Sequence, residues 1–334
     1  MNTTHPTRRA VARGLVQAAA AAALVGAARP LLAASPVPEA AILLVPGAEN
    51  GEVARFAGHA AAALARGLVQ AAALRVVAVG GADGITAANR FASSTPADGR
   101  ALLLLPGAAA QAHLVGDTRA RFEPRHWPAV CGSVQPAILA GRGALADQTL
   151  LRVALPGPGV AETAALLVLT LLGRRFQPVF TAQPEVALAQ GAADALVICG
   201  PGVHRTGGLG VSAWFSFDSQ DAARDPSLPD VPSLGEMLAD RVRHEGVIAA
   251  RAGGAALRTR ALLVLPTLTS ANRVSLWRGA AQRWAEEEPD ALDGGARRVG
   301  GAGAAALLAT LCPPPDVAVA YREWLLRRLS WRIG

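Results

Sequence analysis

The sequence predicts an α/β protein built from two similar units. Short continuous apolar runs alternate with helical stretches, as buried parallel strands alternate with crossover helices. The runs stop at proline and glycine, for example at Val45-Pro46-Gly47 and Leu155-Pro156-Gly157. The pattern is laid out twice, over about 40–130 and about 140–245.

Each element follows from its local residues. Ala40 to Val45 is an apolar run that ends in Pro46-Gly47-Ala48-Glu49-Asn50-Gly51, and a helical stretch follows from Glu52 to about Gln70. Leu74 to Val79 is a second strand, stopped by Gly80-Gly81, and Ile85 to Ala92 reads as helix. Pro96-Ala97-Asp98-Gly99 is a turn into a third strand, Leu102 to Leu105. A long irregular stretch then leads to Val130. In the second unit, Leu151 to Leu155 is a strand, Pro156-Gly157-Pro158-Gly159 a loop, and about Ala161 to Leu172 a helix. Val179-Phe180, Glu185 to Gln190 and Ala195 to Ile198 read as strand, helix and strand. Ala261 to Leu265 is a further buried strand, and Ser275 to Arg332 is mostly helical.

The chain has 334 residues, 51% of them hydrophobic, which suits one large or two medium globular domains. All 32 basic residues are arginine. The absence of lysine excludes a Walker phosphate loop, a Schiff-base lysine and a Ser-Lys dyad. Thr7 to Arg13 is basic, Gly14 to Ala28 is small and apolar, and Leu32-Ala33-Ala34-Ser35-Pro36 offers a cleavage site. That is the layout of an export signal over residues 1–34. Arg8-Arg9 resembles the twin-arginine motif, with a plain secretory signal as the alternative. Cleavage removes four arginines and no acid, so the net charge falls from +7 to +3, which gives no strong field for nucleic acid. The cut site has no cysteine for a lipid anchor, so the product is expected to be soluble in the periplasm.

The search for catalytic chemistry finds no complete GxGxxG and no GxSxG; Gly210-Val211-Ser212-Ala213 runs into Trp214. Cys131, Cys199 and Cys312 have no CxxC spacing; either two pair in an oxidising compartment or all three are small buried hydrophobes. The histidines lack metal-ligand spacing. Glu286-Glu287-Glu288 reads as a solvated helix face, and Arg327, Arg328 and Arg332 as a solvated edge beside Trp324 and Trp331. The chain is therefore expected to bind rather than catalyse, without metal or cofactor. In open parallel sheets ligands sit where strand ends meet helix N-termini. The loops Pro46 to Gly51 and Pro156 to Gly159 have that form: either anion-binding turns or plain tight turns.

Five segments in order resemble the periplasmic receptors of tripartite tricarboxylate transporters, the Bug family. They are Leu44 to Ala48, Gly81 to Ala88, Thr95 to Leu104, Phe122 to Val130, and Pro226-Ser227-Leu228-Pro229-Asp230-Val231-Pro232-Ser233, the last being the most specific. The resemblance implies a type II periplasmic-binding-protein fold: two α/β lobes with a cleft between them. Lobe 1 would be 35–138 with about 246–334, including the C-terminal helices, and lobe 2 would be 139–245. The implied ligand-binding residues are Pro46, Gly47, Ala48, Glu49 and Asn50 in the first loop, with Gly107 and Ala108 after the third strand. In lobe 2 they are Pro156, Gly157, Gly159, Val160, Thr181 and Cys199. Where the family carries polar groups and an acid, Thr181 and Cys199 stand here, so the pocket is less polar and the solute differs or transport is lost. Glu49 places a negative charge where an anion would bind. The resemblance further implies a monomer that delivers a small organic acid to a membrane permease. A ligand sensor for a membrane signalling partner is the alternative, as is a divergent paralogue that has lost transport; no nucleophile motif supports a secreted hydrolase.

Overall fold

A computed structural model describes residues 40–68, 73–217, 224–241, 244–288 and 296–332. The export segment, 1–34, lies outside the described residues. The first sheet contains β1 (Ala40–Pro46), β2 (Ala73–Val79), β3 (Ala101–Leu105), β4 (Ala129–Val134), β10 (Thr259–Val264) and β11 (Arg297–Val299). Their order is β11-β4-β10-β3-β1-β2. The second sheet contains β5 (Ala137–Gly141), β6 (Leu151–Leu155), β7 (Phe176–Phe180), β8 (Ala195–Cys199) and β9 (Ser212–Ser216), in the order β7-β6-β8-β5-β9.

The apolar runs are continuous because both faces of each sheet are covered. Leu43, Val45, Leu102 and Leu104 pack on one side with α1 (Glu52–Arg66) and α8 (Ala271–Glu287), including Trp277 and Trp284. Leu44, Leu103 and Leu105 alternate to the other side, against α2 (Ile85–Ser94), α3 (Gly107–Val115) and α9 (Gly301–Leu311). In the second sheet, Leu151, Val153 and Leu155 pack on α4 (Thr163–Leu171), and Ala154, Leu196 and Ile198 on the face of α5 (Pro184–Ala189). After β9 come α6 (Leu234–Met237) and α7 (Glu245–Arg258), and α10 (Pro315–Leu329) follows α9. Val317, Tyr321 and Leu325 of α10 join the core built around β6 and α4.

Three expectations need correction. The sheets are mixed rather than purely parallel. β10 is antiparallel to β3 and β4, and β5 is antiparallel to β8 and β9, because the chain reverses as it crosses between sheets. The stretch from Leu105 to Val130 is not all irregular either: it contains α3 and the start of β4. α3 is nearly all small residues and is buried almost all round, so it carries no polar face to mark it as a helix. The three cysteines are free, with Cys131 and Cys312 buried. Glu288 is not simply solvated: it accepts from Trp284 Nε1 (3.0 Å) and pairs with Arg66 (2.5 Å) and His59 (2.8 Å).

The crossovers meet at one place. Gln135 and Pro136 join β4 to β5, and Gln135 N–H donates to the carbonyl of Arg258 at the end of α7 (2.8 Å). The return path runs through Asp225 to Ser233. Ser233 caps α6 in a reciprocal capping box with Glu236. Asp225 is 2% exposed and lies 3.7 Å from Arg258 and 3.4 Å from Arg297. Burial alone would raise its pKa. Hydrogen bonds from Ser227 and the two guanidiniums outweigh that and hold it below the usual value. α7 serves both cores: Val247, Ala249 and Ala250 pack into the second, Ala255 and Ala256 into the first. α3 rests on its C-terminal end. A Cβ on Gly107 would lie 1.9 Å from the Ala256 carbonyl oxygen, so only glycine permits this approach.

Gly107→Ala is therefore expected to lower stability by at least about 2 kcal/mol in urea unfolding, because the obstructing atom is backbone. Asp225→Asn is expected to cost about 3 kcal/mol at pH 7, where it removes the buried carboxylate charge that faces Arg258 and Arg297. A depressed folded pKa stabilises above the unfolded value, near pH 4, and its contribution fades as pH falls through the folded value. The stability gap between wild type and Asp225→Asn should narrow at pH 3; a gap that stays constant would contradict the assigned role.

Candidate functional site

The two lobes enclose a cavity of about 810 Å³. The first lobe contributes Asp83, Ile85, Pro106, Gly107, Ala108 and Gln111 among others, and the second the loop Pro156 to Glu162 with Cys199. The crossover contributes Gln135, Leu257 and Thr259, and the C-terminal segment contributes Trp331.

Two helix N-termini open onto this space. β3 ends at Leu105, extended Pro106 turns the chain, and α3 starts at Gly107. Ala109 N–H turns back to the Pro106 carbonyl (3.1 Å), which leaves the first-turn amides of Gly107 and Ala108 at the helix start. Across the cavity, β6 ends at Leu155 and the loop leads into α4. Among the described residues, the N–H groups of Gly157, Gly159, Val160 and Ala161 find no acceptor. Pro156 and Pro158 supply none. The positive ends of α3 and α4 and a set of open amides thus border one volume, an arrangement that accepts an oxyanion.

The side chains add a second character. Gln111, on α3, is 2% exposed. Its Nε2 donates to the Val160 carbonyl (3.2 Å), so the first lobe touches the second-lobe loop directly. Its buried Oε1 has no hydrogen-bond partner. Thr163 Oγ1 donates to the same Val160 carbonyl (2.6 Å) and hydrogen-bonds Tyr321 Oη of α10 (2.9 Å), which fixes the loop from behind. Trp331 closes one wall. A Cβ on Gly159 would fall 2.8 Å from its Cζ2, so the indole packs closely against the loop's backbone.

The charged lining carries both signs. Arg119 is bound by Asp117 (2.6 Å) and Asp83 (3.0 Å), which neutralise it. Arg260 lies over the Phe56 ring, 5.7 Å from its centroid. Glu162, at the start of α4, forms no ion pair among the described residues. Burial raises its pKa, against a smaller opposing contribution from its own backbone. It lies near Cys199, whose thiol is pushed up to about 12 by burial and by the Glu162 charge. Two like charges about 5 Å apart at an effective dielectric of about 20 repel by about 3 kcal/mol. A helix N-terminus returns about 0.3–2 kcal/mol. An ionised Glu162 therefore outweighs either helix end for a ligand group placed beside it.

Of the residues singled out in the sequence, Gly107, Ala108, Pro156, Gly157, Gly159, Val160 and Cys199 line this cavity together. Pro46, Gly47, Ala48, Glu49 and Asn50 are not in its lining. Ala48, Glu49 and Asn50 are exposed, and the Asn50 carbonyl accepts from Arg55 (3.0 Å). Thr181 follows β7; its N–H donates to the Leu155 carbonyl (2.9 Å), and it too is outside the lining. Gln111, Glu162 and Trp331 were missed. Trp331, read as a packed tryptophan beside a solvated arginine edge, packs against Gly159 in the cleft. The only sequence signal for Glu162 was its position directly after the proline-glycine loop.

No family model and no curated protein matches the sequence. Solved structures do resemble it in fold. A TctC solute-binding protein from Polaromonas, without ligand, superposes with a TM-score of 0.64 at 18% identity, over 86% of this chain and 98% of that one. MatC from Rhodopseudomonas palustris, with bound malate, gives 0.52 at 22% identity, over 86% of this chain and 100% of the other. A second R. palustris protein, with adipate, gives 0.52 at 15% identity over 87% and 98%. The chain has the two-lobed α/β fold of the TctC and Bug type of periplasmic solute-binding protein.

Proposed function

We propose that this chain is an exported solute-binding receptor of the Bug family. It captures a small organic acid between its lobes and presents it to a membrane permease of the tripartite tricarboxylate type. The observation that carries this reading is the cavity bordered by the N-termini of α3 and α4, with open amides at Gly157, Gly159, Val160 and Ala161. Main-chain donors bind a carboxylate without the desolvation cost of a buried arginine. Two proteins of the same fold hold malate and adipate. The signal-like segment 1–34 accounts for export. Closure of two lobes around a ligand is the motion this architecture allows, with Gln135 and the Asp225 segment at the crossover.

The test is thermal unfolding of the protein without residues 1–34 in the presence of malate, adipate, glutarate, citrate, aspartate, glutamate and benzoate. A binder at 100 times its Kd should stabilise the fold by about 2.7 kcal/mol. Its binding should change the intrinsic fluorescence, and Trp331→Phe should remove much of that change. A cooperatively unfolding protein stabilised by none of these acids would contradict the proposal.

A further inference from the structure

A second cavity, of about 520 Å³, opens at the far end of β3 from the cleft. Ala101, the first residue of β3, lines it, whereas the cleft begins at Pro106, just past the last. Register sets Arg75 of β2 beside Ile42 of β1, and Ile42 beside Ala101. Residues paired this way point to one face of a sheet. Here it is the face on which Ile42 packs with Phe91 of α2. Arg90, one turn before the end of α2, and Arg100, in the turn before β3, border the same opening.

Three exposed arginines from a strand, a helix and a turn thus surround one notch against a single acid, Asp98. Asp98 lies 3.9 Å from Arg100. Among the described residues, Arg75 and Arg90 have no hydrogen-bond or ion-pair partner. A charge on an edge strand guards that edge against pairing, which accounts for Arg75 but not for Arg90 and Arg100. Like charges around one opening repel, and an anion set between them relieves the repulsion. The floor is apolar, with Ile42 half-buried and Ala73 and Pro96 exposed. From this juxtaposition we infer a second ligand site, on the first lobe and outside the cleft, for a phosphate monoester carried on an apolar body. The phosphate oxygens meet the guanidiniums of Arg75, Arg90 and Arg100, whose planar forks match them. The apolar body lies along Ile42 and Ala73. Both a soluble organic phosphate and a lipid headgroup carry that chemistry.

The probes are hexyl phosphate, inorganic phosphate and hexanol, titrated by calorimetry into the protein without residues 1–34. The same titrations are made on Arg75→Gln, Arg90→Gln and the double variant, with circular dichroism to establish that each is folded. Wild type should bind hexyl phosphate at least about tenfold tighter than inorganic phosphate, since each buried methylene adds to affinity, and should not bind hexanol. Each single variant should lose about tenfold, the worth of a charge-assisted hydrogen bond, and the double variant should lose measurable binding. Co-sedimentation with phosphatidylcholine vesicles, with and without phosphatidic acid, separates the two sources. Retention of wild type, but not of the double variant, by the acidic vesicles alone supports the site with a lipid headgroup as its ligand. Hexyl phosphate binding without retention supports it with a soluble organic phosphate. Equal binding of inorganic and hexyl phosphate overturns the apolar half of the assignment. Wild type that binds neither hexyl phosphate nor acidic vesicles overturns the inference. So does a double variant that keeps full affinity, because the ester then sits elsewhere. These results leave the reading of the cleft standing, since none of the substituted residues lines it.

Discussion

The cleft depends on one packing constraint: α7 must touch both lobes at once. Its first turns lie in the core around β6 and α4, and its last turn receives the start of α3. Because Gly107 has no side chain, α3 can begin against the Ala256 carbonyl, and its N-terminus is aimed at the cavity rather than over it. α4 is brought to the other wall by the same helix. The opposed helix ends are thus a consequence of core packing, and the donors are in place before any ligand arrives.

Around that frame the electrostatics divide the cavity in two. The main chain supplies positive potential at the helix ends, and the Asp83-Arg119-Asp117 cluster cancels itself. The remaining charges are Glu162, half-shielded and set near Cys199 at the end of β8, and Arg260, which lies over the Phe56 ring. A carboxyl in such a place carries an elevated pKa until a cation or a hydrogen-bond donor joins it. The cavity is neither a plain anion hole nor a plain apolar slot. It has a donor end, an acceptor end and a greasy wall that includes a tryptophan from the last residues of the described chain.

Much of this frame was legible in the sequence. The runs in β1, β3, β6 and β8 are continuous because helices cover both sheet faces, and such runs can be read without a structure. β4 and β5 were harder: Gly132 interrupts one, and only Gln135-Pro136 separates them. α3 was hidden because buried alanines give no amphipathic pattern. In the site, loops with glycine and proline announced themselves, since backbone geometry at strand ends leaves a local signature. Gln111 and Trp331 did not, because each reaches the cavity only through contacts between distant segments, at Val160 and at Gly159. The first loop, with Glu49, has the right local form but stands outside the cavity lining, which no local pattern could reveal.

The most direct test is a crystal structure of the protein with the tightest-binding of the screened acids. The account places the ligand carboxylate within hydrogen-bond distance of the main-chain amides at Gly107 and Ala108 or at Gly157 to Ala161, between the lobes. An acid held instead at Pro46 to Asn50, or on an outer surface with the cleft filled by solvent, would contradict it.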